Sequence, residues 1–416
     1  LYDLGRLDEM ADDAQASLHW AQWVSDALLT VHGHLRLGQV NWRRGALEVA
    51  SEHLQMARDL VANQGQTVLE AIIWRTLAAA AWKLSNLKMA EEACRRSVQL
   101  HQQAGDIRGE NRSRHFLGIL ALESQDYEAV RTCVEPLLNS SKIVGERRME
   151  MGAYALLGQV AGYEGQYEQA LTYLAHESQL ADELNMLWQI GSNASNTGDV
   201  RLRLGDYAGA QASYERALAI FRQVQSSHAQ SNVLAFMGLL ACLRGQFAEG
   251  LASCHTAMQL AQQENAHREQ AFAHLFGGHN LVGLGRWQEA RQAYEQARTA
   301  WQLLGQQVRG MEAQAGKAQA ALKLGDRTQA LLMVNEVLDY LEVNGADGAD
   351  DPARMFVTCY EILQQVGDER ANMVRERGRA LLQTRADRIH DPVLRQAFLE
   401  NNPAHKTLLN SQRSSL

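Results

Sequence analysis

The chain has 416 residues, 46% hydrophobic and 21% charged, with 40 Lys and Arg against 48 Asp and Glu, a formal net charge of -8 and a pI near 6.0. That balance argues against general nucleic-acid binding, which needs a broad basic face. No run reaches the roughly 18 apolar residues of a bilayer span, and no secretory signal stands at the N-terminus.

From the N-terminus onward one pattern returns every 40 residues. Gly5, Gly45, Ser85, Gln125, Gly165, Gly205, Gly245, Gly285 and Gly325 share a register. Two residues later stand Leu7, Leu47, Leu87, Tyr127, Tyr167, Tyr207, Phe247 and Trp287, with Arg327 as the exception. Seven residues before each mark the side chain is tiny: Gly38, Ala78, Gly118, Gly158, Gly198, Gly238, Gly278 and Ala318. A fixed period of this size means stacked supersecondary units, each too small to bury its own apolar face. Spacings of three and four on both sides of Gly205 predict two amphipathic helices per unit, with the mark residue turning the chain between them. The tiny column falls mid-helix, where Gly costs about 0.5–1 kcal/mol relative to Ala. Close approach of a second helix is the expected return. Because Leu1 lies four residues before the first mark, the sequence reads as a piece of a longer polypeptide with upstream domains.

After Tyr340 the register fails. Residues 344–351, Asn-Gly-Ala-Asp-Gly-Ala-Asp-Asp, predict a flexible acidic loop, and Pro352 a helix start. A degenerate helical pair and a capping helix are expected over 352–400, followed by a polar tail at 401–416. Their expected role is to cover the open end of the stack. The five cysteines, Cys94, Cys133, Cys242, Cys254 and Cys359, form no CxxC pair, which points to reduced core thiols and a cytoplasmic setting.

The segments 203–210, Arg-Leu-Gly-Asp-Tyr-Ala-Gly-Ala, and 163–170, Tyr-Glu-Gly-Gln-Tyr-Glu-Gln-Ala, resemble the tetratricopeptide repeat. The resemblance covers the array at 1–343 and implies an all-α, right-handed α-solenoid of eight to nine helix pairs plus a C-terminal helical cap. The 40-residue unit departs from the usual 34, and the proline that commonly ends the second helix is missing. Helices about a turn longer are implied, as in the repeats of kinesin light chains and bacterial regulators. Residues 388–403 resemble the tails of repeat regions in large bacterial signalling proteins, including signal-transduction ATPases with numerous domains, maltose-regulon-type activators and cyclase-linked proteins. That likeness implies that an upstream portion carries the catalytic or DNA-binding function.

No catalytic signature appears. The Gly316-Lys317 pair lies in a predicted helix without the hydroxyl residue and strand of a phosphate loop. His32 and His34 are two apart and so diverge around a helix, and no His-x-x-x-His pair places two ligands on one side. Asp12-Asp13, Glu91-Glu92 and Asp350-Asp351 fall on expected solvent faces or loops. No cofactor and no metal is expected, and the chain is not expected to be an enzyme.

In tetratricopeptide arrays the first helices line a concave groove, and the resemblance carries the ligand columns onto this sequence. The early units supply Arg36, Gln39, Trp42, Arg43, Arg75, Trp82, Lys83, Arg112, His115, Phe116 and Glu123, a mainly basic and aromatic set suited to an acidic peptide, a phosphate group or a nucleotide. The fifth supplies Ser192, Ser195, Asn196, Asp199 and Arg203, with Asn196 in the place of the asparagine that grips a peptide backbone. The next two supply Phe236, Leu239, Phe276 and His279, which, if exposed, need a partner or another part of the chain to cover them. Packing of Trp42, Trp82 and the phenylalanines between repeats is the alternative to each of these roles.

The expected function is a non-catalytic module that binds a protein segment, peptide or small effector in the groove, next to other domains of its own polypeptide. It would act as sensor or scaffold of a larger bacterial signalling or transcription-regulatory protein. A nucleotide-type sensor using the basic N-terminal groove, and a purely structural or self-associating array, are the alternatives.

Overall fold

A computed structural model of the chain describes residues 4–410 other than Asn63 and Ser85, and of Leu4, Gly5, Arg6 and Gln22 it describes the backbone alone. The described residues form 21 helices and no strand. They divide into two compact units, Leu1–Leu156 and Leu157–Leu416.

In the first unit α1 (Leu4–Val24) precedes three helix pairs, α2 (Ala27–Arg44) with α3 (Leu47–Val61), α4 (Thr67–Lys83) with α5 (Leu87–Ala104), and α6 (Ile107–Glu123) with α7 (Tyr127–Ile143). The division falls within α8 (Arg147–Tyr163), which α9 (Tyr167–Glu183) follows. The second unit continues through α10 (Leu187–Arg203), α11 (Tyr207–Gln223), α12 (Ser227–Leu243), α13 (Phe247–Gln263), α14 (His267–Gly283), α15 (Trp287–Leu303), α16 (Gln307–Lys323) and α17 (Arg327–Asn344). Four helices end it: α18 (Pro352–Val366), α19 (Ala371–Ala386), α20 (Pro392–Glu400) and α21 (Pro403–Leu409). Within each unit consecutive helices pack on one another as an all-α solenoid.

The period has a simple local cause. Helices such as α10 and α11 are 17 residues long, and three residues link them. Gly205, the second of those three, has φ 75°, its N–H donates to Leu202 O, and the next N–H, of Asp206, donates to Arg201 O. That arrangement ends α10, since glycine enters the left-handed region without a Cβ clash. The Asp206 carboxylate then accepts from the Gly209 N–H at 3.0 Å and caps α11.

A left-handed residue recurs at half the expected interval. Gly105, Gly145, Asn185, Gln225, Asn265 and Gly305 supply it between the repeat marks, so both turns of each pair are alike. One mark departs from the expectation, Gly5, which falls within α1 instead of at a turn, while Ser85 lies outside the described residues.

Close helix approach accounts for the tiny column. A Cβ on Gly38 would stand 2.6 Å from Leu54 Cγ, on Gly198 2.6 Å from Tyr214 Cε1, and on Gly278 2.7 Å from Tyr294 Cε1. In each case the obstructing side chain is sixteen residues onward, on the paired helix, and is buried.

The C-terminal expectations need two corrections. The acidic loop is a packed segment: Ala349, Asp350 and Asp351 are buried, because cationic side chains and a carboxylate from the repeats satisfy their polar groups. The stretch expected as a polar tail instead contains α21, started by the Asn402 cap and anchored by buried Leu408. The five cysteines are buried and unpaired.

Gly278→Ala is expected to lower stability by about 1–3 kcal/mol through overpacking against Tyr294. Gly310→Ala should be neutral or mildly stabilising, because the nearest atom to its added Cβ, on Trp301, is 3.9 Å away. Denaturant unfolding of the full chain checks both.

Candidate functional site

In the first unit, side chains from α2, α4 and α6 line an open hollow of about 450 Å³. Its walls are Gln39, Trp42 and Arg43, then Arg75, Thr76, Ala79 and Trp82, then Arg112, Phe116 and Ile119. Helical periodicity brings these together: positions 39, 79 and 119 are one column of the repeat, and 42 and 82 another. The hollow therefore unites six of the nine basic and aromatic residues proposed from sequence, Trp42, Arg43, Arg75, Trp82, Arg112 and Phe116. Lys83 lies beside it, its Nζ 5.1 Å from the centre of the Trp42 ring. Exposed Arg36 is not part of the lining.

The tryptophans combine the two roles weighed for them. Half-buried Trp42 packs against the core of its unit, and its Nε1–H donates to Ala79 O at 3.2 Å, which fixes the ring at the edge of the hollow. Trp82 meets Phe116 edge to face at 5.8 Å. Burial, and next the nearby Arg112 guanidinium, lower the pKa of Arg75. Arg75 forms no ion pair among the described residues, and Arg112 faces Glu146 only at 3.8 Å. The lining contains no carboxylate.

The inner helices of the second unit are different, because the chain's own C-terminal segment lies on them. Arg203 donates from Nη1 to the carbonyls of Ala349 at 2.8 Å and Asp350 at 3.1 Å, and from Nη2 to Asp350 Oδ1 at 2.9 Å. Arg309 Nε donates to Asp350 Oδ2 at 3.0 Å. Glu312 accepts from the backbone N–H groups of Asp350 and Asp351 at 2.9 and 3.0 Å. Further along, Arg385 pairs with Asp347 at 2.7 Å, His390 and Asp391 donate backbone N–H groups to Glu168, and Asn401 donates to Gly205 O at 2.9 Å. Apolar contact follows the same route, with Tyr167 and Phe398 ring centres 5.7 Å apart.

This seating corrects several expected contacts. Arg203 is committed to the loop, and the Asp199 carboxylate accepts from the Tyr214 hydroxyl at 2.7 Å. The Asn196 side chain makes no hydrogen bond among the described residues and lines a water-sized cavity of about 20 Å³ with Asp199 and Arg203, too small for a peptide. Ser192, one turn earlier, is half-buried, and Ser195 is buried. Phe236, Leu239, Phe276 and His279 do not form an exposed apolar face, for all four are buried. Phe236 packs 5.1 Å from the rings of both Phe272 and Phe276, between repeats. His279 Nδ1 bonds the Tyr294 hydroxyl at 2.8 Å, and Leu239 faces Asp350, Asp351 and Pro352 across a second small cavity.

Sequence reasoning missed Arg309, Glu312 and Arg385, the residues that hold the acidic loop. Their signal was faint: each is a single charge in a helix, and only the return of the C-terminal segment reveals the groups that face them. Among the described residues no group of three or more His, Cys, Asp or Glu side chains could hold a metal ion. None of the described helices is long and apolar enough to cross a membrane.

The tetratricopeptide repeat family profile matches residues 277–340. No curated protein sequence matches the chain. Among solved structures it resembles a Rap protein complexed with Competence and Sporulation Factor, with a TM-score of 0.60 and 14% identity over 82% of this chain and 97% of that one. NprR in complex with its cognate peptide NprX gives a TM-score of 0.51 and 15% identity, covering 73% and 88% of the two chains. A signal transduction ATPase with numerous domains and a tetratricopeptide repeat sensor, from Pyrococcus horikoshii, gives 0.52 and 13%, covering 88% of this chain and 55% of that one. The chain thus carries tetratricopeptide repeat sequence at residues 277–340, within an all-α fold that resembles those of these solved proteins.

The buried acids of the second unit set a pH dependence. Burial drives the Asp199 carboxyl up to about 7, although the Tyr214 hydrogen bond and the Arg203 charge favour its ionised form. Glu312 is raised by burial first, then by Asp350 and Asp351, while the two backbone donors oppose the rise. A carboxyl with a raised folded-state pKa keeps a proton that the unfolded chain releases near pH ~4, so stability falls as pH rises through the raised value. Between about pH 6 and about pH 9, exchange protection of the Asp350 and Asp351 amides, corrected for intrinsic rate, is expected to decrease. Glu312→Gln should flatten that dependence.

Proposed function

We propose that the chain is a non-catalytic binding module in which the hollow on α2, α4 and α6 takes a polypeptide segment or small effector, as the sensing or scaffolding part of a larger bacterial regulator. One observation carries this reading: the first unit keeps a broad basic and aromatic recess lined by three successive inner helices, whereas the inner helices of the second unit are covered by the chain itself. Solved proteins of the same fold support it, a Rap protein having been crystallised with Competence and Sporulation Factor and NprR with its cognate peptide. Signalling through other domains of the polypeptide would then follow from a difference in ligand affinity between two arrangements. The five buried thiols accord with a cytoplasmic setting.

A small anionic effector is the second reading, favoured by the neighbouring guanidinium groups of Arg75 and Arg112 beside aromatic faces. Peptides selected by display on the full chain test the proposal. Trp42→Ala and Trp82→Ala should each weaken their binding about thirtyfold, as loss of an interface tryptophan worth about 2 kcal/mol does. Fluorescence anisotropy measures the change. Selected peptides that bind both variants as well as the parent chain would place recognition elsewhere.

A further inference from the structure

We infer that the hollow of the first unit takes an acidic polypeptide segment in extended form, an inference that rests on the binding reading above and names its ligand. The chain carries an example of such binding within itself. Arg43, Lys83 and Arg203 occupy one register of the repeat, two residues before the turn mark. In the second unit Arg203 uses that position to hold both main-chain carbonyls and a carboxylate of Asp347-Gly-Ala-Asp-Asp351. At Arg203 this position thus recognises an acidic strand of chain through charge-assisted bonds to backbone and side chain together.

The hollow gathers basic groups of the same kind from the inner helices. Its lining supplies three arginines and no carboxylate, and it is about 450 Å³, against about 20 Å³ for the recess where the C-terminal loop is already seated. The shape favours a chain over a compact anion. The lining residues come from the middle and later turns of three helices, where backbone N–H groups are spent on intrahelical bonds, so no amide cradle for a phosphate forms there. Basic groups spread over the three inner helices α2, α4 and α6 match carboxylates spaced along a strand. The Trp82 and Phe116 edges give an apolar side chain of that strand its contact.

Fluorescence anisotropy on the full chain tests the inference with a labelled peptide copying residues 345–353, its Asp-to-Asn counterpart, and inorganic phosphate as competitor. The acidic peptide is expected to bind, its Asn counterpart to bind about tenfold or more weakly, and added salt to weaken the acidic peptide alone. Arg75→Glu and Arg112→Glu should each reduce affinity about tenfold or more, while Arg222→Glu, an exposed reversal on α11, should leave it unchanged. Circular dichroism melting confirms folding, and the charge-neutral Arg112→Gln serves if a reversal unfolds the chain. Equal binding of the acidic and Asn peptides, or no effect of the Arg75 and Arg112 changes, would overturn the inference. So would displacement of the peptide by millimolar phosphate, which would assign the site to a compact anion. If display-selected peptides still depend on Trp42 while no acidic peptide binds, the ligand class fails and the binding reading stands. If nothing binds, both fail.

Discussion

The contact on which the stack depends is the one between a mid-helix glycine and the side chain sixteen residues onward. Gly198 against Tyr214 and Gly278 against Tyr294 leave no room for a methyl group, so the paired helices lie as close as the backbone allows. Large aromatic side chains can then be buried fully between thin helices. The helix-propensity cost of glycine is small beside that burial. With each pair locked in this way, the turn residues need only reverse the chain.

That packing leaves the inner helix faces free to vary, and the two units use them in opposite ways. In the first, Trp42, Trp82 and Phe116 stand beside arginines around an open recess. In the second, the same columns hold Asp199, Arg203 and Leu239, and the C-terminal segment covers them with its own acids. Asp350 is thereby placed between Arg203 and Arg309, both of which also lie 5.3 Å from the Tyr163 ring. Burying such charges is tolerable because they are paired, Asp350 with Arg203 at 2.9 Å and with Arg309 at 3.0 Å.

Much of the fold could be read from residues alone, since the period, the tiny column and the turn at Gly205-Asp206 are local signals with local causes. The second turn column was equally visible in Gly105, Gly145 and Gly305, but Asn185, Gln225 and Asn265 in the same register disguised it. At the candidate site, the basic and aromatic set around Trp42 and Trp82 was legible because repeat columns dictate which side chains meet. The cover over Leu239 was not, for a column says which face a residue occupies and not what arrives to cover it. The covering segment falls outside the repeat, and its acids are more than 100 residues from Arg203 in sequence.

A repeat stack ordinarily needs only near neighbours along the chain, yet the second unit is bound by ties such as Arg388 to Glu164, 224 residues apart, and Asn401 to Gly205, 196 apart. On the ribosome, α9 and α10 therefore emerge long before the residues that complete them. At ~5–20 residues per second the wait is on the order of ten seconds or more. Through that interval Leu239, Leu243 and Tyr167 lack the segment that shields them in the finished molecule. The repeats can form in the order they are made, but the second unit closes only once its last helices have been released.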